Sequence, residues 1–568
     1  MGAQGLEIVR FRGRYYVYYH HMDSYYERLG ARIVDRIPID PKGYQDWLKS
    51  MRAEYAAKEH ALERHVYEMR DGVKPDYSLF DELEELPSEL PKFPTAIDPD
   101  FFYIINLDRE VLTMDYSVHW KLGNIPRQDD LWLRAIVDSI FWKWPTISLD
   151  ICPEEHMASP ALALPEKHKG IRYSYRVVTP KTNLADARKV FLTNVMATTP
   201  VQYEDAIINF GMEWSPDSFP FRELVFALVS IASGHASFHS FPPHLCNPQH
   251  CASLNCTYNH LPKSPGWLDK EWAGDAAPLR EFGSMAHRPG DPPGASPTET
   301  MYWVEDVLVS LVLVVDGKAI TNAGTWGIGQ GRTNFQLVIL SLFDVSFAEV
   351  SFGDGGGEPL VKVTKPVYLS PLRADHCLST HPRMRPELKP GMKYQRPAFL
   401  TDRGRPGTRR RLQRRFPGLA ALVNFFDAAA KRRAASKSPG ILPPELYSMI
   451  LDFTDYGTWK ACSMVSTAFR SLCLRKYRLD DRMRIAAGPF VRLQEINGHR
   501  HRLLSFDFEN ILTGEVLPMI QDVLRHGTNE YNWMPVIGGD RRVLMSDVVM
   551  QYELAEDMPV EAEVDGEQ

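Results

Sequence analysis

Seven cysteines in 568 residues, odd in number and irregularly placed, are too few and too scattered for the bridge framework of small secreted domains. A reducing compartment, cytoplasmic or nuclear, is the expectation. Long apolar runs are missing as well. Val307 to Val315 is too short to span a bilayer, and Phe335 to Val350 carries Asp344 and Glu349, so no membrane partner is expected. The opening MGAQGLEIVRFR holds no apolar core for a secretory signal, and Leu6 stands where a myristoylation signal has Ser or Thr. Nor is one sign of charge dominant. Lys and Arg number 65 and Asp and Glu 72, and the balance of −7 makes a nucleic-acid partner unexpected.

What is present is the composition of a globular protein, 44% hydrophobic and 24% charged, at a length suited to about three or four units. The charge is unevenly spread. Thr401 to Gly440 holds eleven Lys or Arg against Asp402 and Asp427, a local +9 that leaves −16 for the rest. Arginine runs such as RGRPGTRRRLQRR suit either a solvated linker or a nuclear import signal, with nucleic-acid contact the weaker reading.

Along the chain, RFRGRYYVYYHHMDSYYERLG reads as a hairpin or meander, with its tyrosines half-buried on a sheet face. From Pro41 to Arg70, Tyr44, Trp47, Leu48, Met51, Tyr55, Leu62, Val66 and Met69 recur at helical spacing. Strands are expected at Phe101 to Leu107 and Arg109 to Tyr116, then a buried helix from Asp129 to Trp144 that takes in Phe141 and Trp142. Residues 221 to 233 look helical, and Tyr302 to Val315, Phe335 to Phe352 and Leu360 to Leu369 look like strands. Met285 to Glu299 is expected to be unstructured.

The fold class is therefore α+β, a mixed multi-domain chain. An α+β body over 1–375, the candidate target-binding region, precedes a disordered Pro/Arg-rich linker over 376–437. A small helical module follows at 438–480, then a β-rich segment at 481–554 and an acidic tail at 555–568.

The helical module carries the chemistry-independent signal. In ILPPELYSMILDFTDYGTWKACSMVSTAFRSLC, Pro443 and Pro444 suit a first helical turn, and Glu445 sets a carboxylate beside its free amides. Leu446, Met449, Ile450 and Phe453 fall on one face, and Asp455-Tyr456-Gly457 breaks the helix. Thr458 is the expected cap of one further helix, whose apolar face is Trp459, Cys462, Val465, Phe469 and Leu472. Two such helices bury little alone, so a partner surface is expected to complete them.

These residues resemble the F-box, in which Leu-Pro-x-Glu opens the first helix and Val-Ser, an aromatic and Arg close the last. Leu442 and Val465 stand 23 residues apart as the pattern asks, and Glu445, Ile450, Leu451, Ser466, Phe469 and Arg470 fall in register. Thr454, Trp459 and Cys462 depart from it. The rest of the chain is similar in texture to F-box domain proteins of filamentous fungi.

The resemblance implies a non-enzymatic substrate-recognition or adaptor subunit of a cullin-RING ubiquitin ligase. Leu442, Pro443, Leu446, Ile450, Leu451, Val465 and Phe469 would then face a Skp-type adaptor while the body holds a protein target. The alternative is a hydrolase-like enzyme in the body, with the F-box governing its turnover or location; a cleft lined by perturbed His, Asp or Glu would mark it.

Other motifs are weaker. Cys246, Cys251, Cys256 and His260, spaced C-x4-C-x4-C-x3-H, could complete a tetrahedral structural zinc site, although free loop cysteines are the commoner case. No other cofactor is suggested. Gly327, Gly329 and Gly331 are expected to form a hairpin turn between strands, and His20, His21 and Asp23 are expected to be turn residues.

Overall fold

The computed structural model describes residues 2–72, 80–137, 146–147, 162–241, 287–372, 409–434 and 441–517, with short breaks inside several ranges, and strands 532–536 and 561–562. Strands β1 (Gly5–Phe11) and β2 (Arg14–His20) form the expected opening hairpin. Its turn is Arg12-Gly13, with φ of 47° and 82°, the positive pair that a two-residue type I′ turn requires. Helix α1 (Ala31–Arg36) precedes α2 (Pro41–Arg70), which has the bounds its periodicity predicts.

Strands β3 (Phe101–Asn106), β4 (Val111–Met114) and β5 (Val118–Lys121) complete a sheet of order β2-β1-β3-β4-β5, with β1 and β3 parallel. Both faces are covered. Val9, Tyr16 and Tyr103 pack with Ile33, Leu48, Tyr55 and Trp132 on one side, while Leu6, Ile8, Tyr15 and Ile104 join a second cluster on the other. Tyr15 and Tyr16 are therefore fully buried rather than half-buried.

The helix expected over 129–144 is cut short. Asp129 and Asp130 both have positive φ, so α3 is only Leu131–Ala135. Ile136 and Val137, whose branched side chains suit extended backbone, pair with Thr146–Ile147 instead. Phe141, Trp142 and Trp144 lie outside the described residues.

A second sheet contains β6 (Ser174–Val178), β8 (Met301–Val304), β9 (Val307–Leu311), β10 (Phe335–Leu340), β11 (Asp344–Ser351), β12 (Leu360–Thr364) and β13 (Val367–Tyr368). Its order is β6-β12-β11-β10-β9-β8, with β13 beside β11. Between β6 and β8 the chain forms α4 (Ala187–Gln202), α5 (Glu204–Phe210), α6 (Phe219–Ser233) and β7 (Ser237–Phe241). Part of the loop expected to be unstructured is pinned to α6, where the buried Glu223 accepts hydrogen bonds from the Ser296 amide and hydroxyl.

Helix α7 (Gly317–Gly329) corrects the glycine-rich turn: Gly327 and Gly329 form the last turn of a helix that Asp316 caps by accepting from the Ala319 amide. Glycine costs a helix about 1 kcal/mol, but here it lets the helix approach β10. A Cβ on Gly327 would lie 2.5 Å from Phe335 Cζ. The cluster thus sits at a helix C-terminus, the wrong end for cradling an anion.

Residues 409–433, expected within the basic linker, are helical: α8 (Arg409–Arg415) and α9 (Pro417–Arg433). Counting arginines hid the apolar run GLAALVNFFDAAA between them. Leu419, Leu422, Val423 and Phe426 are buried against α4, α6 and the second sheet. Helices α10 (Pro444–Asp452), α11 (Tyr456–Cys462) and α12 (Thr467–Arg475) follow. The expected β-rich segment contains the paired strands β14 (Met483–Ile496) and β15 (His499–Asn510). Phe506 and Phe508 of β15 meet Phe191 of α4 edge-on, at 5.7 and 6.2 Å between ring centres. The fold is thus α+β, and one buried cluster runs from the opening hairpin to β15.

Candidate functional site

Helix α10 begins at Pro444, whose missing N–H would be unpaired in a first turn anyway. Tyr447 fastens the Leu-Pro segment across that turn, its hydroxyl accepting from the amides of Ile441 (2.8 Å) and Leu442 (3.0 Å). At the far end Arg478 donates to the carbonyls of Leu451 (2.7 Å), Asp452 (2.9 Å) and Thr454 (2.5 Å). One guanidinium thereby serves the carbonyls a helix leaves open and places a cation at the negative end of its dipole. The Asp452 carboxylate is held by Arg484 at 2.7 Å and Lys476 at 3.2 Å.

The single second helix expected after Thr458 is two helices. Asp455, rather than Thr458, caps α11 by accepting from the Thr458 amide at 2.7 Å, and Ser466 caps α12 by accepting from the Phe469 amide at 3.2 Å. A serine side chain competes with the helical ladder for backbone donors, which accounts for the break.

Burial divides the three helices into two sides. Leu451, Trp459 and Cys473 face inward, and Trp459 sits between Tyr456 and Tyr477 with ring centres 5.7 Å away on either side. On the other side Leu446, Met449, Ile450 and Phe453 are 44%, 57%, 47% and 88% exposed. An ordinary surface helix turns its apolar stripe to the core; α10 turns its stripe to solvent. Leu442 and Val465 are exposed too, as is Ile441, an apolar neighbour of the Leu-Pro pair that the motif does not include.

Of the seven residues expected to face an adaptor, Leu442, Pro443, Leu446, Ile450 and Val465 are exposed. Leu451 belongs to the interior, and Phe469 is half-buried against the Tyr447 ring at 4.6 Å. The three departures from the F-box pattern avoid the outward stripe. Trp459 is interior, Cys462 is partly buried against the core, and Thr454 closes α10 by donating to the Leu451 carbonyl at 2.8 Å.

Arg470 has a structural task. Together with Arg188 of α4 it donates to Asp427 Oδ1 of α9, each at 2.8 Å, while Lys189 and Lys431 meet Oδ2 at 3.1 and 3.0 Å. Burial alone would raise the Asp427 pKa, but the surrounding cations outweigh it and hold the carboxyl well below the usual carboxylate range. Helix α11 is fixed through Lys460, which donates to the His235 carbonyl at 2.9 Å and whose pKa burial lowers to about 8. Burial pushes the Cys473 thiol up to about 12.

The body contains a fully buried acid–base grouping. Thr113 contacts His119 Nδ1 at 2.9 Å and hydrogen-bonds Glu213, which also accepts from Asn106 at 2.6 Å. All four side chains are buried, so the group joins β3, β4 and β5 to the α5–α6 loop rather than opening into a cleft. His20 ends β2 with Nε2 3.4 Å from Glu7, His21 packs on Tyr19, and Asp23 has positive φ in the bend that follows. Cys246, Cys251, Cys256 and His260 lie outside the described residues, and among the described residues no cluster of three or more metal-ligating side chains occurs. No described helix is long and apolar enough to cross a membrane.

No family model matches the chain, and comparison with curated proteins and with solved structures gives no match.

Proposed function

We propose that the chain is an F-box-type substrate-recognition subunit of a cullin-RING ubiquitin ligase. Leu442, Pro443, Leu446, Ile450 and Val465 dock a Skp-type adaptor, Met449 and Phe453 extend that surface, and Leu451 and Phe469 support it from beneath. The observation that carries this reading is the outward apolar stripe of α10, a helix whose C-terminal carbonyls Arg478 anchors. Apolar surface of this kind is stabilised by burial against a partner, and helix-in-groove recognition uses this spacing.

The mechanism is proximity. The ligase brings a charged conjugating enzyme to one end of the assembly, and the body holds a protein target at the other, which raises the effective concentration of a target lysine. No nucleophile or cofactor is required of this chain, and its place of action is the cytoplasm or the nucleus.

The test is a pull-down of the intact chain on an immobilised Skp-type adaptor, beside the double variant Leu446→Asp, Val465→Asp. Retention of wild type and loss of the folded variant is the expected outcome. Failure of folded wild type to bind sinks the proposal.

A further inference from the structure

A cavity of about 240 Å³ lies between α9 and the face of the second sheet. Its floor includes a row across three strands, in which Gln336 of β10 stands opposite Glu349 of β11 and Glu349 opposite Lys362 of β12. The charges of this row are matched: Glu349 pairs with Lys362 at 3.4 Å and with Arg432 of α9 at 3.3 Å. Gln336 is different. It is 6% exposed, and its Oε1 has no hydrogen-bond partner. On the same face of β10 the neighbouring position is Val338, so packing alone would be served by an apolar residue here. A buried carboxamide oxygen left unpaired is costly, and placing one against a cavity makes sense when an occupant supplies the missing partner.

We infer that this cavity binds a small neutral aromatic carboxamide or lactam. A primary amide offers a donor and an acceptor on one edge, as Gln336 does, so the two edges complement each other. The rings of Phe347 and Phe425, 4.8 Å apart and tilted by 41°, form an apolar wall for a flat ring. The volume is below the roughly 300–1,000 Å³ of pockets for drug-sized ligands, which limits the occupant to about a dozen heavy atoms. A cationic ligand is disfavoured because Glu349 already has its cations and Lys181 adds a further positive charge to the lining. The inference does not depend on adaptor docking, since no residue of α10 lines the cavity.

The experiment titrates benzamide, with toluene as the apolar comparator, into the full-length chain and follows saturation-transfer NMR. Gln336→Leu keeps the shape and removes the amide. Ala428→Trp blocks the exposed mouth. Benzamide is expected to bind wild type, to weaken about tenfold in Gln336→Leu, the worth of one hydrogen bond, and to be lost in Ala428→Trp, with toluene unaffected by Gln336→Leu. Thermal melts establish that both variants are folded. The inference is overturned if folded wild type ignores benzamide at millimolar concentration, if Gln336→Leu binds it equally well, or if blocking the mouth changes nothing.

Discussion

Arg470 donates from Nη2 to Oδ1 of Asp427 across 2.8 Å, and both side chains are buried. This bond joins α12 to α9, the helix that lies along the second sheet. Asp427 is the buried acid that these four cations share, and Asp186, half-exposed and 3.9 Å from Arg188 and Lys189, is too distant to replace it, so removing Asp427 leaves Arg188, Lys189 and Arg470 without their close partner in the interior. Asp427→Asn should therefore destabilise the chain by about 3–5 kcal/mol, as breaking buried pairs does, measured by urea unfolding at neutral pH.

The same carboxylate sets a pH dependence. Its folded pKa is depressed, so its contribution is complete above the unfolded value of about 3.9 and is lost as pH falls towards the folded one. Wild type should lose stability steadily as pH drops below about 4. In Asp427→Asn that part of the slope should be absent, and parallel acid titrations of the two proteins by circular dichroism would reveal an unchanged slope if the idea is wrong.

The outer and inner sides of the helical module should respond oppositely to substitution. Leu446→Asp and Val465→Asp replace exposed residues and should each change stability by no more than about 0.5 kcal/mol while abolishing adaptor binding. Leu451→Ala, at a position 4% exposed, should cost about 2–5 kcal/mol. Paired unfolding curves and pull-downs separate surface from support.

Cys473 should resist alkylation. Its thiol is buried and shifted to about 12, so almost no thiolate exists at pH 8. Iodoacetamide labelling followed by peptide mass mapping should find Cys473 unmodified in folded protein and modified in urea.

Gly327→Ala should destabilise by about 1–3 kcal/mol, because the added methyl meets Phe335 and lies 3.2 Å from Leu308 Cδ2. A melt equal to that of wild type would mean that α7 can shift away from β10 without loss.

Local patterns made part of this structure legible. Helix α2 repeats its apolar positions for 30 residues, and the opening hairpin carries both alternation and an Arg12-Gly13 turn, so both could be located from residues alone. The stripe Leu446, Met449, Ile450 and Phe453 was equally plain, but periodicity gives a face and not its direction; only burial shows that it points outward. Helix α7 was hidden because its glycines speak against a helix until Phe335 is seen beside Gly327. Helix α9 was hidden by the arginines on either side of it. In the Asp427 cluster Lys431, four residues on, is a local partner, but Arg188 lies 239 residues from Asp427 and Arg470 lies 43, so the cluster as a whole had no local signal.

Two separate ties hold the helical module to the body, Arg470 of α12 on Asp427 and Lys460 of α11 on the His235 carbonyl, and together they oppose a swivel between the two. A ligase built on this chain would hold its cargo at a fixed stance, and modification would fall on lysines that happen to lie within the catalytic arc. Selection among the lysines of one target would then be geometric, decided by where each stands and not by the residues around it.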